Sequence, residues 1–237
     1  MAKPFLKWVG GKTQLLTDLS SLLPTSFDNY YEPFLGGGAL FFHLQPKPAV
    51  LNDVNEKLIK TYSIVKSDIN SLIKNLSLLE RRYLSKEEQA RKDYYYEQRE
   101  MFNEAKNDLE IATKLIFLNK TCFNGMYREN SKGRFNVPQG SYKNPKILDE
   151  NNLRSVSDLL QNVELLSTNF KEAVSGAGKN DFVYFDPPYQ PISKTSSFTS
   201  YSKDDFNEED QKELHNTFVE LTKRGCRAML SNSNAEL

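Results

Sequence analysis

Residues 181–185, Asp-Phe-Val-Tyr-Phe, form a mainly apolar run that stops abruptly at Asp186-Pro187-Pro188-Tyr189. An unbroken run of this kind suits a strand buried on both faces, as in a parallel sheet covered by helices. The two prolines lack N–H donors and have fixed φ, so the ladder cannot continue past Phe185. Parallel strands need crossover connections, usually helical, and the rest of the chain supplies them. Residues 30–35 read as a second buried strand, running into Gly36-Gly37-Gly38 and then a helix from Ala39. Residues 49–53, 162–167 and 227–230 read as further strands, and 13–23, 148–161 and 208–222 have helical spacing. Neither Gly nor Pro occurs from 49 to 124, a stretch read as mostly helix, with the charged part at 80–108 as a solvated face. The pattern predicts an α/β protein built on a mostly parallel sheet, with a small helical and hairpin subdomain. Residues 1–55 and 160–237 are expected to form the sheet domain and 56–159 the subdomain, with 1–12 an extended arm and 190–206 a polar, Ser/Thr-rich loop.

Composition narrows the chemistry. The chain has only two cysteines, Cys122 and Cys226, with no CxxC pair, and two histidines, His43 and His215. That excludes a disulfide framework and a zinc cluster, argues against a Ser-His-Asp triad, and leads us to expect no metal. The start of the sequence lacks the apolar core of a signal peptide, and no run approaches a membrane span, so a soluble cytoplasmic protein with no membrane partner is expected. The formal net charge is zero, so any surface for an anionic polymer must be local.

Three constellations carry chemistry. In the first, three glycines between a buried strand and a helix let a ligand approach the backbone closely. Asp53, fifteen residues beyond Gly38 at the end of the next strand, can reach both hydroxyls of a ribose. The pattern is not GxGxxG, which disfavours a dinucleotide. Gly10-Gly11-Lys12-Thr13 resembles half of a P-loop, but the first glycine of that motif would fall at Leu6. Lys12 could instead meet a carboxylate such as that of methionine.

The second constellation is Asp186-Pro187-Pro188-Tyr189, at a strand end where ligands meet open parallel sheets. It offers a carboxylate, backbone carbonyls without competing N–H groups, and an aromatic ring. Such a site suits a planar base bearing NH2. The amino lone pair of adenine is delocalised, and two acceptors on its N–H bonds favour a pyramidal nitrogen and stabilise the positive charge that develops on attack. The Tyr189 ring can stack on the base. The third constellation is the segment 119–146, which holds Lys120, Arg128, Lys132, Arg134, Lys143 and Lys146 against a single acid, Glu129. Asn124, Asn130, Asn136 and Gln139 add amide groups, and Phe123, Tyr127 and Tyr142 add rings. Phosphate neutralisation with base-edge contacts is a natural reading.

In this order, Lys7-Trp8-Val9-Gly10-Gly11-Lys12, Pro33-Phe34-Leu35-Gly36-Gly37-Gly38-Ala39, Leu51-Asn52-Asp53 and Asp186-Pro187-Pro188-Tyr189 resemble the Dam-like DNA adenine-N6 methyltransferases. Phe123-Asn124-Gly125-Met126-Tyr127-Arg128, Gly133 to Tyr142, Ser197 to Tyr201 and Leu230 to Ser233 extend the resemblance over nearly the whole chain. It implies a Rossmann-like S-adenosylmethionine-dependent fold with a target-recognition subdomain. Trp8, Lys12, Asp53 and Asp186 would contact the cofactor, in a pocket lined by Gly10, Phe34, Gly36, Gly38 and Phe170. Asp186 and Pro187 would hold the target amine and Tyr189 would stack on the base. Lys7, Asn124, Arg128, Pro138 and Tyr142 would read double-stranded DNA, with Phe123 as a wedge in the base stack. The implied target is a flipped adenine in GATC, acted on by a monomer of bacterial or phage origin, with or without a companion restriction enzyme.

Two departures from the family pattern stand out. Asn169-Phe170 replaces an Asp-Phe pair near the cofactor's adenine, implying altered affinity with binding retained. Relatives also continue for some tens of residues past the equivalent of Ser231-Asn232-Ser233, which leads us to expect a chain shortened at its C-terminus. Two other readings stay open: methylation of another planar amine or amide, such as RNA adenine or protein glutamine, and an inactive DNA-binding protein.

Overall fold

The computed structural model describes residues 1–10, 16–188 and 206–232. Lys12, Tyr189, most of the 190–206 loop, Ser197 to Tyr201 and Ser233 therefore lie outside the described residues. The chain divides into two compact units, Met1–Gly11 with Asn55–Gln161, and Lys12–Val54 with Asn162–Leu237.

The second unit is built on a five-stranded sheet in the order β3-β2-β1-β4-β5, every pairing parallel. The strands are β1 (Tyr30–Glu32), β2 (Ala49–Asn52), β3 (Val163–Leu166), β4 (Phe182–Phe185) and β5 (Arg227–Leu230). β1 is shorter than its apolar run predicts because Pro33 has no N–H to continue the ladder. β4 is buried at every position, as a central strand covered on both faces should be. Side chains alternate along the strands. Tyr31, Val183 and Phe185 enter a core with Phe170, Val174, Leu214 and Leu221, contributed in part by α8 (Phe170–Ala173) and α9 (Glu208–Lys223). Tyr30 and Phe182 pack on each other, ring centroids 5.7 Å apart. Helix α9 starts with a full capping box: Asn207 accepts from the N–H groups of Glu209 and Asp210, and the Asp210 side chain accepts from the N–H of Asn207. The unit also holds α1 (Leu16–Ser20) and α2 (Ala39–Leu44).

The first unit is helical: α3 (Glu56–Ser67), α4 (Ile69–Leu84), α5 (Glu88–Glu104), α6 (Asp108–Thr121) and α7 (Glu150–Leu160). Helix α6 buries nearly every residue from Ile111 to Asn119, as expected of a helix with apolar groups all round. The charged α5 still buries Tyr94, Tyr95, Gln98 and Phe102, so its solvated face is one side only. The expected hairpin at 119–146 begins with the last turn of α6 and continues as a loop with two isolated antiparallel bridges, Cys122–Gln139 and Glu129–Phe135.

The N-terminal residues differ from the expectation that placed them with the sheet. Ala2, Phe5 and Leu6 are buried, and Phe5 meets Tyr62 edge-on at 4.9 Å. Two asparagines hold this backbone: Asn152 pairs with the N–H and C=O of Lys3 at 2.9 and 3.0 Å, and Asn119 pairs with those of Lys7 at 2.9 and 2.8 Å. An arm with three buried apolar side chains and satisfied backbone groups belongs to the body it covers.

The carboxyl edge of the sheet carries one buried acid. Glu32 ends β1 at 3% exposure and accepts a hydrogen bond from the Tyr30 hydroxyl at 2.8 Å. Burial raises its pKa to about 8; the Tyr30 bond opposes the rise, and the charges of Asp186 and Asp53 add to it. A carboxyl with a raised native pKa stabilises the fold fully below its ordinary value near 4.5 and loses that contribution as pH rises through about 8. We expect wild-type stability to fall over this window by up to about 1.4 kcal/mol per pH unit. Glu32→Gln, which mimics the protonated form, should flatten the curve. Denaturant melts of both proteins from pH 5 to 9 check this; parallel curves would contradict it.

Candidate active site

The strand order places the carboxyl ends of β1 and β4 side by side, with the chain leaving them toward opposite halves of the sheet. Such a switch point opens a crevice at the carboxyl edge, where ligands bind in open α/β sheets. The two strongest sequence motifs both start there: Pro33 to Gly38 follows β1, and Asp186 to Pro188 follows β4. Asp53 follows β2, the neighbour of β1.

The glycine loop is held from below. Asn52 is 1% exposed, and its Nδ2 donates to the carbonyls of Pro33 at 2.9 Å and Thr168 at 3.1 Å, while its Oδ1 accepts from the Thr168 N–H at 2.9 Å. Its own carbonyl accepts from the Leu35 N–H at 2.8 Å. One residue thus ties together the loops that follow β1, β2 and β3. Gly36 donates its N–H to Asp53 Oδ2 at 2.9 Å, so the half-buried carboxylate steadies the loop. Gly38 has φ 67° and begins α2; a Cβ there would lie 3.1 Å from Phe42 and 3.2 Å from Leu35. A side chain at this position would meet strain and crowding together.

Phe34 stacks on Phe170 with centroids 5.4 Å apart and meets Phe206 edge-on at 5.7 Å. Phe34 is partly buried and Phe170 nearly fully so, which makes Phe34 the more open face of this aromatic wall. Asn169, expected to face a ligand, caps α8 by accepting from the Lys171 N–H at 2.8 Å. At the end of β4, Asp186 is half-buried, Pro187 buried and Pro188 exposed. Glu32, on the strand between those that lead to Asp53 and Asp186 and in electrostatic reach of both, was not among the residues singled out in the sequence. An acid inside an otherwise apolar strand was the signal available.

The chemistry of this donor set fits a cationic nucleoside ligand. It combines two half-buried carboxylates, glycines with positive φ and an aromatic wall. Among the described residues no group of three His, Cys, Asp or Glu could hold a metal ion, and no helix is long and apolar enough to cross a membrane.

The other predicted residues lie in the helical unit. Lys7 packs across Gly125, where a Cβ would come within 2.4 Å of the lysine side chain, and its ammonium lies 5.1 Å from the Tyr142 ring centroid. Phe123 is 50% exposed, and its N–H donates to the carbonyl of Pro138 at 2.9 Å. Asn124 is exposed and holds φ 55°, a left-handed turn uncommon for a side-chain-bearing residue. Arg128 Nε donates to Asn136 Oδ1 at 2.7 Å. The structure therefore gathers Lys7, Phe123, Asn124, Pro138 and Tyr142 around one turn and sets Arg128 on the adjoining strand-like segment. Trp8 stacks on Tyr127 at 5.0 Å, and Gly10 is exposed with φ 80°.

Two readings of the basic segment change. Tyr127 is 3% exposed and so cannot stack on a base. Arg134 is paired with Glu100 and Glu104, and Lys146 with Asp149, so part of the local charge is balanced by acids outside the segment. Burial pulls the pKa of Lys120 down, and the nearby charge of Lys7 adds to the fall.

Residues 8–237 match the family model of the D12 class N6 adenine-specific DNA methyltransferases. The chain is 50% identical to the type II methyltransferase M.MjaIII of Methanocaldococcus jannaschii, over 98% of this chain and 84% of that protein. It is 43% identical to the type II methyltransferase M1.LlaDCHI of Lactococcus lactis subsp. cremoris, over 99% and 82%. It is 33% identical to the DNA adenine methylase of Haemophilus influenzae, over 90% and 72%. With a family match over nearly its whole length and relatives above 30% identity, the chain belongs to the D12 class of N6 adenine-specific DNA methyltransferases.

Proposed function

We propose that the protein methylates N6 of an adenine flipped out of duplex DNA, within GATC, with S-adenosylmethionine as the donor. The observation that carries this reading is the convergence of the Phe34–Gly38 loop and the Asp186-Pro187 corner at one sheet switch point. Asp53, the glycine loop, Phe34 and Asp186 would hold the cofactor in the sheet unit, with Trp8, Gly10 and Lys12 contributing from the sequence motif before it. When bound, the cofactor supplies an electrophilic methyl group on a sulfonium.

The protein's own residues then have simple tasks. The Asp186 carboxylate and the Pro187 carbonyl accept the two N–H bonds of the amine, localise its lone pair and stabilise the charge that grows on nitrogen. A proton leaves N6 after attack, and the Asp186 carboxylate can accept it. A paired adenine has its amine engaged in the duplex, so the base must leave the stack. Lys7, Asn124, Arg128 and Tyr142 serve to read the flanking bases, and Phe123 to fill the opened step.

Purified protein incubated with donor and a duplex carrying one GATC should yield N6-methyladenine by nucleoside mass spectrometry. Asp186→Asn should lower kcat by about 10²–10³-fold. Product on single-stranded RNA or a protein substrate in place of duplex DNA would overturn the reading.

Asn124 offers a cleaner test of base reading. Asn124→Gly keeps the left-handed turn and removes only the exposed amide. We expect an unchanged Tm and a loss of about 10-fold in the ratio of kcat/KM between GATC and a singly mismatched site, the scale of one base-edge contact. An unchanged ratio would remove Asn124 from the reading set.

A further inference from the structure

The backbone around Arg128 is paired in a short antiparallel ribbon. The bridge sets Glu129 against Phe135. The Asn136 N–H donates to the Arg128 carbonyl at 3.1 Å and the Asn130 N–H to the Arg134 carbonyl at 2.9 Å. In that register Arg128 stands opposite Asn136, and cross-strand partners share a face. The two faces differ in burial. Tyr127, Phe135 and Val137, on one face, are buried, whereas Arg128 and Asn136, on the other, are half-buried. Helix α5 pins the strand on either side of Asn136. Asn103 pairs with the N–H and C=O of Phe135 at 2.7 and 3.1 Å, and the Tyr95 hydroxyl donates to the Val137 carbonyl at 2.8 Å. Asn136 Oδ1 is therefore an acceptor on a fixed backbone, and it takes the Arg128 Nε–H at 2.7 Å.

That bond constrains the guanidinium. The group is planar, so a short bond at Nε orients its fork and leaves both Nη groups for another partner. Among the described residues neither Nη group has a hydrogen-bond partner. The adjacent acid, Glu129, lies on the other face and is held by Lys57 at 2.8 Å and by the Tyr127 hydroxyl at 2.6 Å. Asn136 is neutral, so it orients the cation without cancelling its charge.

We propose that Asn136 is a positioning residue for base recognition, holding the Arg128 guanidinium so that its two Nη groups meet a base edge end-on. The inference rests on the proposed role of Arg128 in DNA reading. Two donors so arranged match the O6 and N7 acceptors of a guanine. An arginine held beforehand loses less rotamer freedom on binding than a free one. Discrimination between bases then depends on the Asn136 oxygen, whereas attraction to phosphates depends on the charge alone. In the sequence Asn136 reads as one more amide for base edges; in the structure its oxygen is used within the protein.

Two substitutions separate geometry from charge. Asn136→Ala removes the acceptor and leaves the cation, and Asn136→Asp keeps an acceptor and adds an opposing charge. Binding to a GATC duplex, and to one with both G·C pairs of that site replaced by A·T, would be measured by anisotropy across a salt series. Asn136→Ala should lower the ratio of the two affinities about 5–10-fold, leaving the affinity for the altered duplex and the salt slope unchanged. Asn136→Asp should keep the wild-type ratio, weaken binding to both duplexes, and reduce the slope of log K against log salt by about one. In an Arg128→Ala background, Asn136→Ala should lower the ratio no further.

A wild-type ratio in Asn136→Ala, or equal losses on both duplexes with both variants, would overturn the positioning role alone. A ratio that falls further in the Arg128→Ala background would also overturn it, by making Asn136 a DNA contact in its own right. Full discrimination by Arg128→Ala would overturn the base-reading role of Arg128, and the proposal with it.

Discussion

One interaction recurs at four irregular stretches of backbone: an asparagine side chain pairs with both the N–H and the C=O of a single residue. Asn52 does so with Thr168 in the sheet unit. In the helical unit Asn119 does so with Lys7, Asn152 with Lys3, and Asn103 with Phe135. A side-chain amide has the same donor and acceptor as a peptide group, so it satisfies backbone groups where no strand is available to pair. Each of these amides holds a segment that the proposed site needs in place: the loop after β3, the arm carrying Lys7 and Trp8, and the turn opposite Glu129. An Asp at any of the four would keep the acceptor and lose the donor, leaving two oxygens facing each other.

The acidic carboxyl edge makes chemical sense against this rigid support. Glu32, Asp53 and Asp186 are close enough for their charges to interact. Such a cluster favours a cation, and the proposed reaction has one at each stage, first on sulfur and then on nitrogen. Glu32 has lost its water and carries the raised pKa, so the acid deepest in the fold is the one most easily kept neutral. Asp53 and Asp186 are only half-buried. Burial thus separates Glu32 from the two acids to which the proposed reading gives the ligand contacts.

Much of this arrangement was legible in the sequence. The apolar run before Asp186, the glycines after β1 and the amphipathic pattern of α9 depend on local rules, and the structure follows them. The length of β1 was misread because hydrophobicity alone was followed past Pro33, where the missing donor decides. The arm was assigned to the wrong unit because its anchors, Asn119 and Asn152, are more than a hundred residues away in sequence. Sequence spacing cannot show a pairing at that distance. Tyr127 was read as available to a base because an aromatic residue between polar ones carries no mark of burial.

The charge of segment 119–146 shows a similar limit, and its resolution bears on specificity. Counting residues predicts a strongly basic surface, yet Arg134 and Lys146 are matched by Glu100, Glu104 and Asp149 from flanking helices or their caps. Around Lys120 burial lowers the pKa, the charge of Lys7 lowers it further, and Asp149 opposes the fall. Bringing like charges together costs free energy that an incoming phosphate would return. A diffuse basic loop would bind any duplex through counterion release. In the proposed reading, cations beside the left-handed Asn124 turn would favour a duplex that presents both a phosphate and a matching base edge, which is what site-specific binding requires.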